Sequence, residues 1–215
     1  MVTGTPKVIA HWIPASRQIL DDAPQLRAII DTELLYGLAY VEDNQLLNGG
    51  GTGQDLNGVY TQATAFSAGA LVIDNPTKVD AIAAAILQQG LANLPATGIV
   101  LNPSDWMEML MLKDNEGRYL VGQPQDNALP RLWGLPVVQT AAMTAGNFLV
   151  GDFRTSATIY DRWTPRVEIS TEHDDFFVRN LVAILCEQRI GLAVKRTTGF
   201  TKGSFDAAIT ALSGS

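Results

Sequence analysis

Apolar residues recur at helical spacing between positions 24 and 47, which predicts one long amphipathic helix. Asp21 and Asp22 precede this segment and Asn48 and Gly49 follow it, so the sequence also marks a helix start and a helix end. An unbroken helix over 24–47 would be roughly 36 Å long. The apolar positions of the expected buried face are Leu26, Ile29, Ile30, Leu34, Leu38, Val41 and Leu46.

A second pattern, with period two, covers positions 176–194 and predicts a long β-strand. Ordinary strands have about five or six residues, so a bend or bulge is expected near Gly191. Segment 167–170 is the expected antiparallel partner, across a turn at 172–175. The apolar even positions are Phe176, Val178, Val182, Ile184, Cys186, Ile190, Leu192 and Val194.

Between these two segments the pattern predicts alternating helices and short strands. Asn75 before Pro76 marks a helix start. The buried positions expected for this helix are Val79, Ile82, Ala83, Ile86, Leu87 and Leu91.

A buried strand is expected at 98–101, followed by a helix that Asn102 caps and that extends to Leu112. Further strands are expected at 137–140, 148–151 and 157–161. Elements in this order predict an α+β fold with a central sheet and helices on its faces.

Composition is that of a folded globular chain: 215 residues, 47% hydrophobic and 17% charged. No apolar run of about 18 residues is present and the N-terminus lacks the apolar core of a signal peptide, so we expect no membrane span and a cytoplasmic origin. The single cysteine excludes an intrachain disulfide.

Charge gives weak support for nucleic-acid binding. The net charge is -7, and the nearest thing to a basic cluster is Lys195, Arg196 and Lys202. Phosphate binding needs several adjacent cations, so these residues are interpreted as a solvated strand end.

Candidate chemical motifs favour structural interpretations. The GGGTG run at 49–53 follows the C-terminus of a predicted helix, where the dipole has the wrong sign for a phosphate, so it predicts a tight turn with positive φ. His173, Asp174 and Asp175 are consecutive, which favours a solvated hairpin turn over a metal site. Cys186 is expected to be inert packing. We therefore expect no catalytic residue, no cofactor and no metal.

The four tryptophans are dispersed along the sequence, which favours core or interface anchors over a platform for stacking bases. They are Trp12, Trp106, Trp133 and Trp163.

Five stretches together resemble tailed-phage major capsid proteins of the Hong Kong 97 type. They are HWIPASRQILDDAPQL at 11–26, QLLNGGGTGQDLNG at 45–58, GIVLNPSDWMEMLMLKDNEGRYLVG at 98–122, LWGLPVV at 132–138 and FVRNLVAILCEQRIGLAV at 177–194. The resemblance implies the α+β fold of that family. It has a peripheral domain with a long spine helix and long strands, expected at 1–57 and 162–196, and an axial domain with a central sheet, expected at 58–161 and 197–215.

The same resemblance implies a structural subunit of a phage or prophage icosahedral capsid, not an enzyme. Copies would associate with each other as pentamers and hexamers and enclose double-stranded DNA without specific binding, with no membrane or small-molecule partner. The expected location is the virion, after assembly in the bacterial host cytoplasm. Two alternatives stay open: the shell protein of an encapsulin-type nanocompartment that loads cargo protein, and an unrelated α+β ligand-binding protein.

Relatives in that family join subunits covalently through a lysine, an asparagine and a glutamate, and Asn180 and Glu187 stand at the last two positions. Their separation of seven residues predicts opposite faces of a regular strand, with ordinary edge-strand polar roles as the alternative. The lysine is expected upstream of KVIAHW, where only MVTGTP stands, and Lys7 is too close to the peripheral sheet. We therefore expect a truncated subunit without the N-terminal arm, most of the extended loop or a scaffolding region, which neither cross-links nor closes shells alone.

Overall fold

The computed structural model describes residues 4–18, 24–114, 116–119 and 129–214. The chain divides into two compact units, Met1–Asn57 with Ile159–Ala193 (unit 1) and Gly58–Thr158 with Val194–Ser215 (unit 2). The structure divides the chain at 158/159 and 193/194, three residues before each of the boundaries expected at 161/162 and 196/197.

Unit 1 contains a three-stranded sheet and one long helix. The strands are β1 (Lys7–Ser16), β7 (Ala157–Ser170) and β8 (Leu181–Val194), in the order β1-β8-β7. β1 and β8 are antiparallel, with Lys7 opposite Ile190 and Ser16 opposite Leu181. β8 is therefore the central strand of this sheet.

The long helix α1 spans Pro24–Asn48, as its periodicity predicts. Leu34 and Leu38 are buried against Val182, Ile184 and Cys186 of β8. The cap expected at Asp21 and Asp22, and the side chain of Leu26, lie outside the described residues.

Two positions of the predicted buried face of α1 are wrong. Ile29 is 58% exposed and Val41 is 40% exposed. Ile30, Leu34 and Leu38 are spaced by four and form a narrow line, whereas Ile29 lies about 100° around the helix from Ile30. This separation explains the exposure of Ile29, whereas Val41 lies on the same side of the helix as Leu34 and Leu38 and its exposure has no such explanation.

The strand predicted over 176–194 begins only at Leu181, so the prediction is wrong for residues 176–180. Phe176 N donates to His173 O at 3.0 Å and Val178 N to Asp175 O at 3.1 Å, which makes this segment a turn. Asn180 closes the turn with φ 53°. Alternating burial holds along β8 up to Ile190, after which all four remaining residues are buried.

Strand β7 is longer than the predicted 157–161 and includes the segment 167–170 expected to pair with β8. Most of its residues are exposed, so burial gives little alternation from which to predict its full length. Pro165 lies inside β7. Proline lacks a ladder donor and is tolerated on an edge strand.

Unit 2 contains a six-stranded mixed sheet in the order β2-β9-β6-β3-β5-β4. β3 is parallel to β5 and antiparallel to β6. The strands are β2 (Thr64–Ala65), β3 (Gly98–Leu101), β4 (Arg131–Leu132), β5 (Leu135–Gln139), β6 (Asn147–Gly151) and β9 (Phe200–Ser204). The helices are α2 (Val59–Gln62), α3 (Lys78–Leu91), α4 (Pro103–Leu110), α5 (Phe205–Leu212) and the 3-10 turn Thr197–Gly199.

Helix α3 differs from its prediction in its cap and in its buried face. Thr77, not Asn75, is the N-cap, and it forms a capping box with Asp80. Leu87 is 50% exposed and Leu91 is 77% exposed. Small residues allow close approach to the sheet, so the buried face consists of Ala81, Ile82, Ala84, Ala85 and Gln89.

Helix α4 follows its predicted signals. Ser104 N donates to Asn102 Oδ1 at 2.9 Å, and Pro103 occupies the first helical position. The helix ends at Leu110, two residues before the predicted end. Among the described helices, none is long and apolar enough to cross a membrane.

Candidate functional site

Asn180 and Glu187 do not share a strand. Asn180 is exposed in the turn before β8, and its carbonyl oxygen accepts from Arg17 N at 3.0 Å. Glu187 lies on β8, which has a neighbouring strand on each side. The prediction that the two residues point to opposite faces of one strand is therefore wrong, and so is the alternative that both are edge-strand residues.

Glu187 is held by a cation from the neighbouring strand. Arg166 Nε on β7 donates to Glu187 Oε1 at 2.9 Å, and a second guanidinium nitrogen also contacts that oxygen. Arg166 Nη1 lies 3.2 Å from Glu168 Oε1, and the guanidinium carbon is 5.0 Å from the Trp163 ring centroid. The hydrogen bond to Glu187 raises the pKa of Arg166 above its ordinary value. This arrangement fixes the orientation of the Glu187 carboxylate.

Sequence reasoning missed Arg166. It precedes Glu187 by 21 positions, and no local spacing rule connects residues on two strands whose register is unknown. The sequence does show a basic residue near the middle of the segment that forms β7. It identifies Arg166 as the partner of Glu187 only once the pairing of β7 with β8 is known.

Lys7 is anchored at the start of β1. Its Nζ donates to Gly53 O at 2.5 Å. The glycine-rich segment forms the predicted turn, with φ 74° at Gly51 and 58° at Gly53. A Cβ on Gly49 would collide with Leu56 O, so close backbone approach also requires glycine there. This loop therefore positions a lysine and shows no phosphate cradle.

The segment 173–175 lies in a turn, as predicted. The His173 ring packs against Trp12 at 4.9 Å and against Phe176 at 5.0 Å between centroids. Within the described ranges no group of three or more His, Cys, Asp or Glu residues could hold a metal ion. The histidine contributes an aromatic contact that fixes the turn.

Cys186 is fully buried in the core of unit 1. Burial raises the pKa of its thiol, and the nearby charge of Asp31 raises it further. A thiol with a raised pKa is a poor nucleophile at neutral pH. The predicted packing role fits this environment.

A cluster of charged residues around the buried Asp105 joins α3 to α4 in unit 2. Lys78 Nζ lies 2.7 Å from Asp105 Oδ1 and 2.5 Å from Glu108 Oε2, and Gly146 N donates to Asp105 Oδ2 at 2.7 Å. Burial alone would lower the pKa of Lys78, but its hydrogen bonds to both carboxylates raise it overall. Each charged side chain has an oppositely charged partner, so we interpret the cluster as a structural link between the two helices.

The predicted basic cluster at 195–202 is only partly a solvated strand end. Lys195 and Arg196 are exposed. Lys202 Nζ instead donates to Thr61 O at 3.0 Å and lies 5.3 Å from the Tyr60 ring centroid. These contacts leave little basis for a phosphate-binding surface.

The tryptophans divide between core and surface. Trp106 is buried, whereas Trp12, Trp133 and Trp163 are 48%, 59% and 41% exposed. Trp133 stands out because its φ is 53°, a left-handed conformation that bulky residues rarely adopt.

Comparison with known proteins gives consistent matches. The model of the phage capsid family matches residues 1–205. The chain is 48% identical over 205 residues to the major capsid protein of Enterobacteria phage HK97, covering 95% of the chain and 53% of that relative. The chain therefore spans about half the length of the curated relative.

Solved structures share the fold at low identity. The capsid of an empty GTA particle superimposes with a TM-score of 0.77 at 21% identity, covering 95% of this chain and 74% of that one. A structure from Gordonia phage Cozz gives a TM-score of 0.73 at 16% identity, covering 94% and 70%.

Proposed function

The chain belongs to the phage capsid family, and we propose that it is a structural subunit of the icosahedral capsid of a phage or prophage. Its predicted α+β fold of the Hong Kong 97 type is confirmed by the identity to the major capsid protein of phage HK97 and by the GTA capsid structure that superimposes on it. The observation that carries the proposal is 48% identity over 95% of the chain to a major capsid protein.

The proposal assigns unit 1 to the peripheral domain of the subunit and unit 2 to the axial domain. Unit 1 supports this assignment with its 25-residue helix and its two 14-residue strands, β7 and β8. Unit 2 supports it with a six-stranded sheet and helices packed against it.

The proposed partners are copies of the same chain, assembled as pentamers and hexamers in the host cytoplasm and retained in the virion. DNA is enclosed without specific binding. The net charge of -7 supports this part of the proposal, because an acidic wall does not hold packaged phosphates tightly.

We assign no covalent chemistry to this chain by itself, although Asn180 and Glu187 stand at the family's cross-link positions. Two contacts support this: the Glu187 carboxylate is bound by Arg166, and Lys7 is tied to Gly53. Concentrated, aged protein should give a single band on a denaturing gel. A ladder that survives boiling and is lost in Asn180→Ala contradicts the assignment.

Negative-stain images and nuclease-protection assays of the complete gene product test the capsid function. The expected result is uniform closed particles that protect DNA when produced during phage growth. Particles that contain a cargo protein and no DNA would favour a nanocompartment shell. Failure of the complete product to associate at all would refute the proposal.

A further inference from the structure

We propose that neighbouring copies of this chain join through unit 2 by a knob-in-groove contact, in which Trp133 of one copy enters an apolar groove beside α3 of the next. The inference rests on the proposed function, since it specifies one contact of a self-assembling subunit. Both halves of the contact lie on described residues of unit 2.

The knob is the tip of the hairpin between β4 and β5. Leu132 pairs with Leu135, so Trp133 and Gly134 are the two turn residues, with φ 53° and 80°. Two-residue turns with both φ values positive favour Asn, Asp or Gly at these positions. A tryptophan here is strained, and its own chain buries less than half of it.

The indole is nevertheless held in place. Trp133 Nε1 lies 3.4 Å from Val79 O in the first turn of α3, which occupies the polar edge of the ring. The remainder of the indole is apolar and 59% of the residue is exposed. An oriented aromatic side chain that is largely exposed and that lies in a strained turn is the type of residue that anchors interfaces.

The groove lies between the segment 67–71 and α3, with a volume of about 490 Å³. Its walls include Ala68, Leu71, Ala84, Leu87, Gln88 and Leu91. Gln88 holds the outer wall, because its Oε1 accepts from Ser67 N at 3.0 Å and its Nε2 donates to Ala65 O at 3.2 Å. The groove is thus preformed and can accommodate an indole ring.

Knob and groove lie at opposite ends of one helix. The indole contacts Val79 in the first turn of α3, whereas Leu87 and Leu91 belong to its last turns. At about 1.5 Å per residue, Val79 and Leu91 are roughly 18 Å apart. Two different patches on one subunit give a head-to-tail contact, which closes into a ring when the rotation between copies permits.

The test uses one variant for each half of the contact and measures self-association by sedimentation velocity. Trp133→Asn suits the left-handed turn and keeps the hairpin folded. Leu91→Gln removes an exposed groove residue without disturbing the core. Met107→Gln, at a 54% exposed position on α4, is the matched control.

The expected result is concentration-dependent association of the wild type and of Met107→Gln, with at least about tenfold weaker association of each contact variant. In an equimolar mixture, Trp133→Asn retains the groove and Leu91→Gln retains the knob. Native mass spectrometry should therefore detect their heterodimer, without larger rings.

Wild-type association that Trp133→Asn leaves unchanged overturns this contact while the capsid function stands. A mixture that forms no heterodimer, when each variant alone is monomeric, overturns the head-to-tail geometry and the contact with it. A wild-type chain that stays monomeric at every concentration, together with a complete gene product that does not associate, refutes both proposals. A monomeric chain beside an assembling gene product overturns the contact alone.

Discussion

At the residue scale, two glutamines with almost no exposure differ in how their amides are satisfied. Gln89 is 1% exposed, and its amide can make hydrogen bonds at both ends. The amide nitrogen donates to the carbonyl oxygens of Thr198 and Gly199 at 3.2 Å, and the amide oxygen accepts from Thr201 N at 3.1 Å. Gln188, 2% exposed, has an Oε1 that accepts no hydrogen bond from any described residue. A buried acceptor without a donor costs free energy.

Substitution by methionine should therefore affect the free energy of unfolding differently at the two positions. We expect Gln188→Met to leave the free energy of unfolding unchanged or raise it by about 1 kcal/mol, and Gln89→Met to lower it by about 1–3 kcal/mol. Urea unfolding of both variants measures this. Equal destabilisation by the two substitutions would show that Gln188 Oε1 is satisfied in solution.

Asp152 should make the stability of unit 2 sensitive to acid. Burial alone would raise its pKa, but donors from Thr155, Arg154 and Ser156 outweigh burial and hold the pKa below its ordinary value. The folded state therefore gains stability from the ionised carboxylate above the unfolded pKa of about 3.9, and loses it as the pH falls through the lower folded pKa.

Asp152→Asn is the variant that isolates this effect. It should lower the free energy of unfolding by about 1–3 kcal/mol near pH 7. The difference from wild type should shrink as the pH falls below about 4. Unfolding curves at several pH values provide the measurement, and a difference that does not change with pH would contradict the assignment.

Single-residue signals in the sequence were informative where they were local. The Asn102 cap was predictable, because cap, proline and acidic residue stand within four positions. The Thr77 cap was missed in favour of Asn75, although Asp80 three residues after Thr77 completes a capping box. Asn75 has φ 49°, so it serves the turn before the helix.

At the element scale, the start of α3 depends on that capping box. Thr77 Oγ1 accepts from Asp80 N, and Asp80 Oδ2 accepts from Thr77 N at 2.9 Å. Thr77→Ala should lower the free energy of unfolding by about 1 kcal/mol. Thr210→Ala, which removes a hydroxyl bonded to Asp206 O inside α5, is the control and should cost less. Equal losses would contradict a capping role for Thr77.

The positions of the helices and strands followed periodicity, whereas some of their ends and buried faces did not. Helix α1 and strand β3 have the predicted extents within one residue. Residues 176–180 have the apolar alternation of a strand, but they form a turn. Their backbone N–H groups donate to the carbonyl oxygens of His173 and Asp175. The buried face of α3 is rich in alanine, which a hydrophobicity pattern ranks below the exposed Leu87 and Leu91.

At the scale of the whole molecule, each unit has its own hydrophobic core. Leu38, 1% exposed, lies in the core of unit 1, and Leu101, fully buried, lies in the core of unit 2. Leu38→Ala and Leu101→Ala should each cost about 2–5 kcal/mol. Hydrogen exchange should rise mainly in α1 and β8 for the first variant and mainly in β3 and β6 for the second. A uniform rise throughout the chain in both variants would contradict separate cores.

The family was predictable because five separate stretches carried the resemblance, and the family match confirms it. The local chemistry was less predictable. The Arg166 contact to Glu187 depends on the pairing of β7 with β8, and the exposure of Trp133 depends on the hairpin that presents it. Both need the three-dimensional neighbours of a residue, which one sequence does not contain.

A cryo-electron-microscopy reconstruction of particles formed by the complete gene product tests the central claim most directly. The account predicts a closed icosahedral shell in which every pentamer and hexamer position accommodates the two units described here. Closed shells whose density does not fit this fold, or no closed particles from correctly folded protein, would contradict it.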